Sequence, residues 1–144
     1  MGLVVAFDLY GETIGTIRIV PMCNQLTLTE TLLPRLGACA PGLAPDDWEV
    51  GRLVLAPQYR CDVDALRHCL HLSLSFARAN APVERLYAAC THVLARLYRR
   101  FAFAPFARDV PLPGTEKTYT LISGCAAEIS RALAGHTSSP VRPQ

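Results

Sequence analysis

Between Trp48 and Cys90 the chain runs through two apolar segments with an amphipathic one between them: WEVGRLVLA, then about Asp62 to Ala79, then VERLYAAC. The first and last have the length and apolar content of strands, and WEVGRLVLA is apolar enough to be central in a sheet. The middle segment opens on Asp62 and Asp64, either of which can cap a helix. Ala65, Leu66, Cys69, Leu70, Leu72, Leu74 and Phe76 give it a broad apolar face, and NAP ends it. A strand–helix–strand unit closes as a right-handed crossover, so its two strands lie parallel. A mixed sheet carrying helices on its faces follows.

The flanking segments extend that sheet. LVVAFDLY and TIGTIRIVP, joined through GE, read as a β-hairpin. QLTLTETL reads equally as a further short strand or a helix start. Gly37 to Asp47 is a Gly/Pro-rich loop. Thr91 is an N-cap for HVLARLYRRF, FAFAPFARDVPL and KTYTLIS pair around PGTE, and Gly135 stops a terminal helix AAEISRALAG. The fold class is α/β (α+β), in a single domain over 1–135 with a disordered tail over 136–144.

Composition narrows the function. A net charge of +2 argues for neither nucleic acid nor a membrane surface as partner, and 13 arginines stand against one lysine, Lys117. No apolar run reaches the roughly 18 residues of a membrane span, and the N-terminus lacks a basic region and cleavage site, so the expected setting is the cytoplasm. The six cysteines (Cys23, Cys39, Cys61, Cys69, Cys90, Cys125) form no C-x-x-C pair and read as small buried residues of a reducing compartment. His68, Cys69 and His71 lie close together, but no further ligands stand at zinc spacing, so no metal is expected.

Three stretches carry a resemblance. GTIRIVP holds Arg18 before aliphatics and a proline; WEVGRLVL holds Trp48, Glu49 and Arg52 in a Trp-Glu-x-x-Arg pattern; LARLYRRFAF holds Tyr98 five residues before Phe103. From Gly11 to about Gly124 the chain resembles the GNAT acyltransferase superfamily, and within it the autoinducer (acyl-homoserine-lactone) synthases and long-chain N-acyl amino acid synthases. The resemblance implies a mixed, mostly antiparallel sheet with a central splayed pair of parallel strands and helices on both faces, here without the usual N-terminal strand and helices. It implies an acyl donor, an acyl carrier protein or acyl-coenzyme A thioester, and a small-molecule amine acceptor. A homodimer is among the assemblies it allows. The family places a Gln/Arg-x-x-Gly-x-Gly/Ala loop before the helix to take the donor pyrophosphate, because a helix N-terminus offers unpaired N–H donors. Here the aligned residues are RCDVDA: Arg60 and Ala65 fit, Val63 replaces the glycine, and Asp62 and Asp64 add negative charge. That departure favours the carrier-protein branch.

Acyl transfer to an amine needs a deprotonated nucleophile, stabilisation of the thioester oxyanion and a proton for the thiolate. The resemblance puts the pantetheine arm along the central strand, making the backbones of Leu53, Val54 and Leu55, with Arg60, the donor contacts. Glu49 is the expected general base or amine-orienting carboxylate, Arg18 and Arg52 the acceptor-binding groups, and Tyr98 the acid. Glu49 and Arg52 have opposite parity, so a regular strand sends them to opposite faces, and a bulge at Gly51 is expected to bring them together. Bland alternatives stand beside these roles: a Glu–Arg pair locking two strands, a packed Tyr98, and a GNAT-like binding or assembly domain without turnover, with a small-molecule acetyltransferase as another enzyme reading.

Overall fold

A computed structural model describes residues 3–9, 12–23, 27–59 and 62–137. The strands are β1 (Leu3–Leu9), β2 (Glu12–Pro21), β3 (Asp47–Leu55), β4 (Arg85–Cys90), β5 (Ala104–Pro111) and β6 (Thr118–Cys125). The helices are α1 (Leu28–Leu32), α2 (Val63–Asn80), α3 (His92–Tyr98) and α4 (Ala126–Thr137). The six strands form one sheet in the order β1-β2-β3-β4-β6-β5, in which β3–β4 is parallel and every other pairing antiparallel. This is the expected mixed, mostly antiparallel sheet with a central parallel pair.

Local chemistry sets most boundaries. The Asp62 carboxylate caps α2 by accepting from Asp64 N and Ala65 N, and the Thr91 hydroxyl caps α3 by accepting from Leu94 N at 3.2 Å. Within QLTLTETL, Leu28–Leu32 form the helix α1 rather than a strand. The Thr27 hydroxyl accepts from Glu30 N at 3.1 Å and donates to Glu30 Oε1 at 2.8 Å, a capping pair in Thr-x-x-Glu spacing. Gly135 does not stop the last helix, which runs on through Thr137. Ala102 takes a left-handed conformation (φ 71°, ψ 18°) that glycine adopts at less cost.

Consecutive residues show how the sheet divides its two faces. Ile122 joins a core with Ile17, Ile19, Trp48 and Val50 beneath α2, α3 and α4; Leu121 joins a smaller core with Leu32, Leu33 and Val110 on the α1 side. Helices therefore cover both faces, as expected. Cys69 and Cys90 are buried, whereas Cys23 is exposed and Cys125 half-buried, so the all-buried reading of the cysteines is corrected at those two. Among the described residues no helix is long and apolar enough to cross a membrane, and no group of three or more His, Cys, Asp or Glu is placed to hold a metal.

Candidate active site

The site is organised by a strand that changes partners. β3 pairs with β4 at only three positions, Asp47↔Arg85, Trp48↔Leu86 and Glu49↔Tyr87. Beyond Glu49, β3 stays with β2 as far as Leu55↔Gly15, while β4 stays with β6 as far as Cys90↔Thr120. The two parallel strands thus splay, and the β4-facing edge of β3 from Val50 onward has no ladder partner among the described residues. An open β-edge of this kind can accept an extended ligand as an added strand. A cleft of about 400 Å³ opens there, lined by Leu53, Val54 and Leu55 of β3 and Leu94 of α3. Of the donor contacts expected at Leu53, Val54 and Leu55, Val54 is 60% exposed, Leu53 half-buried and Leu55 buried at 8%.

The bulge is present, displaced by one residue from Gly51. Arg18 pairs with Gly51 and Thr16 with Val54, so two steps along β2 oppose three along β3, and the extra residue lies at Arg52–Leu53. Its consequence is visible in the core: Trp48 and Val50 point to the α2 side before it, Leu53 and Leu55 after it. The bulge thus restores the apolar alternation after a change of parity. At Gly51 a Cβ would stand 3.4 Å from Glu49 Oε1, an ordinary contact, so packing does not demand glycine there. The side chain of Arg52, and Arg60 altogether, lie outside the described residues.

Glu49 is 7% exposed on the α1 side of the sheet, where its Oε2 accepts from Thr29 N at 2.7 Å. Burial pushes its carboxyl above the ordinary 4.5; the hydrogen bonding to Thr29 and the charge of Arg18 oppose that shift, and the charge of Glu30 adds to it. Arg18 sits half-buried on β2 opposite Gly51, on the face away from Ile17 and Ile19, and forms no ion pair with Glu49. The expected Glu–Arg contact is therefore long-range for Arg18, and the direct partner of Glu49 is the backbone of α1.

Tyr98 lies on the other face. It follows Leu94, which lines the cleft, by one helical turn but is not itself part of the lining, and it is 2% exposed with its ring centroid 5.1 Å from that of Phe103. Burial raises its hydroxyl above the ordinary phenol range, so it carries its proton at neutral pH. The structure brings Glu49 and Arg18 together on one face, and Tyr98 with Leu53 and Leu55 on the other, with β3 between them. Cys90 stays core: burial pushes its thiol to about 12, far from a thiolate nucleophile.

The residues missed by sequence reading are those of α1. Thr29 holds the Glu49 carboxylate, and Glu30 borders a cavity of about 660 Å³ with Thr31, Leu33, Pro34, Ala40, Pro41 and Leu43. The Thr27–Glu30 spacing was the available signal for that helix; the meeting of Glu49 with Thr29, 20 residues apart, had none.

A splayed central pair within a mostly antiparallel sheet is the GNAT-like fold, in the form seen in acyl-homoserine-lactone synthases. Among solved structures, the synthase LasI matches with a TM-score of 0.71 and 16% identity over 98% of this chain and 72% of its own. The CoA-dependent acyl-homoserine lactone synthase BjaI, solved with SAM and isopentyl-CoA, matches with a TM-score of 0.69 and 15% identity over 99% of this chain and 67% of its own. A GNAT-family acetyltransferase from Streptococcus pneumoniae matches with a TM-score of 0.59 and 12% identity, covering 86% of this chain and 66% of its own. At these identities the likeness is one of fold. No protein-family model and no curated protein sequence matches the chain.

Proposed function

We propose that this protein is an N-acyltransferase that moves an acyl group from a thioester donor, on acyl carrier protein or coenzyme A, to the amine of a small molecule. The observation that carries the reading is the splay of β3 from β4 after Glu49, with the cleft along Leu53, Val54 and Leu55. The thioester arm lies along the open edge of β3, and a backbone N–H of that segment donates to the developing oxyanion. The amine arrives from the α1 side, where the cavity bordered by Glu30 opens. Glu49 orients the amine or takes its proton, a role suited to a carboxyl raised by burial. Arg18 and Arg52 bind the acceptor's acidic or carbonyl oxygen. We assign Tyr98 the proton for the leaving thiolate, a step that requires its hydroxyl to reach the cleft, since burial raises that hydroxyl and keeps it out of the cleft lining.

Mass spectrometry of lipid extracts tests this reading, comparing cells that make the protein with cells that make Glu49→Ala. Acylated amines present only with the unaltered protein support it and name the acceptor; identical extracts overturn it. A second reading, a GNAT-like domain that binds without turnover, is favoured by the tie between Glu49 and Thr29 N. It predicts identical extracts from cells in which the protein is folded and abundant.

A further inference from the structure

The side of α3 turned away from the acyl cleft faces a second, smaller groove. Its volume is about 150 Å³, and its lining is His92, Ala95 and Arg96 from α3, Arg99 just past its end, Pro105 and Arg108 from β5, and Thr120 from β6. His92, Arg96 and Arg99 stand at i, i+4 and i+7, so one exposed stripe of side chains borders the groove. Arg108 closes the groove from across the sheet. It sits at a bulge in β5, where Ala107 pairs with Leu121 and Val110 with Tyr119, and the next residue, Asp109, is held at φ 53°. A bulge re-aims the side chains at the point where it forms. Among the described residues none of His92, Arg96, Arg99 or Arg108 forms an ion pair with a carboxylate. Three exposed guanidiniums and an imidazole therefore line one small groove without a carboxylate paired to any of them among the described residues.

The helix end that serves phosphate in related folds is occupied here. The N–H groups of Asp64 and Ala65, which open α2, both donate to Oδ1 of Asp62, at 2.9 Å and 3.2 Å. A second anion there would have to displace a carboxylate and approach two aspartates. Both α2 and α3 begin at the carboxyl ends of the parallel strands β3 and β4, the edge at which ligands of open α/β sheets gather.

We propose that the groove between α3 and β5 is a phosphate-binding site, taking the phosphate or pyrophosphate group of a small molecule. Guanidiniums give paired N–H donors matched to phosphate oxygens, and the groove's size suits one such group rather than an extended acidic surface. Two sources share this chemistry: the tail of a coenzyme A donor and a separate phosphorylated metabolite.

The test is titration calorimetry with sodium pyrophosphate at constant ionic strength on the full chain, its Arg96→Gln/Arg108→Gln variant, and Arg131→Gln. Arg131 is an exposed arginine on α4 outside the groove lining. Saturable 1:1 binding is expected, weakened at least tenfold in the double variant and unchanged in Arg131→Gln, with all three proteins sharing one thermal midpoint. Equal affinity in the double variant overturns the site, as does absence of saturable binding. Binding of poly-glutamate without pyrophosphate overturns it in favour of an acidic protein partner. In a competition arm, coenzyme A displaces pyrophosphate if the donor tail is the source and leaves it bound if a separate metabolite is. That arm alone rests on the acyl-transfer reading; failure of the reading leaves the direct titration unaffected.

Discussion

Replacing Glu49 by glutamine separates its structural role from its chemical one. Its carboxylate accepts a 2.7 Å hydrogen bond from Thr29 N at a site 7% exposed. A hydrogen bond to a charged group contributes about 1.5–3 kcal/mol net and a neutral one about 0.5–1.5. Glutamine keeps an acceptor oxygen for Thr29 and relieves the cost of burying a charge, so Glu49→Gln should lower unfolding free energy by no more than about 1 kcal/mol. Glu49→Ala leaves the Thr29 N–H without an acceptor, which costs about 1–3 kcal/mol, and adds a void, for a total loss of about 2–4 kcal/mol. Urea unfolding measures both. The pH dependence carries a sign as well. The folded-state pKa lies above 4.5, so the native state holds the proton more tightly than the unfolded chain does. This group's contribution is therefore fully present below 4.5 and is lost as pH rises through the folded-state value. The Gln variant should lack that slope, gaining on the unaltered protein as pH increases. Turnover should fall by about 10²-fold or more in the same folded variant. A Gln variant as unstable as the Ala variant would refute the hydrogen-bond argument, and one with undiminished turnover would remove Glu49 from the chemistry.

Other outcomes follow from the packing. A Cβ on Gly124 would lie 2.6 Å from the Ala102 carbonyl oxygen and 3.0 Å from Ile129 Cδ1, so Gly124→Ala should cost about 1–3 kcal/mol in urea unfolding; an unchanged midpoint contradicts that contact. With a thiol reagent at pH 8, exposed Cys23 should react quickly, while Cys69 and Cys90, pushed by burial to about 11 and about 12, should react only on unfolding; rapid native-state loss of either contradicts their burial. Tyr98→Phe should lower turnover by about 10²-fold with little loss of stability, and wild-type turnover in that variant would show Tyr98 to be a packing residue.

The elements legible in the sequence are those fixed by neighbouring residues. Asp62 and Thr91 cap α2 and α3 through side-chain contacts two or three residues away, and the β3–α2–β4 crossover follows from length and apolar pattern. Gly51 correctly marked an irregular strand, but the extra residue falls at Arg52–Leu53 because the register with β2 places it, and that register is not local. The same limit hid the partner of Glu49. An arginine three residues away looked like the natural counter-charge, whereas the carboxylate turns to the backbone of α1. The strand-or-helix ambiguity of QLTLTETL was avoidable, since Thr27 and Glu30 stand at capping-box spacing. The basic groove was half legible: His92, Arg96 and Arg99 share a helical stripe, while Arg108 joins them only through the sheet.

Thiol release from an acyl thioester, followed together with the mass of any acylated amine, tests the claim that the β3–β4 cleft carries acyl transfer. With acyl-coenzyme A and acyl carrier protein donors of several chain lengths and a panel of amino-acid amines, free thiol and acylated amine should appear in equal amounts. Both should fall by about 10²-fold in folded Glu49→Gln. Folded protein that releases no thiol from any donor, or that releases it equally well as Glu49→Gln, would contradict the account.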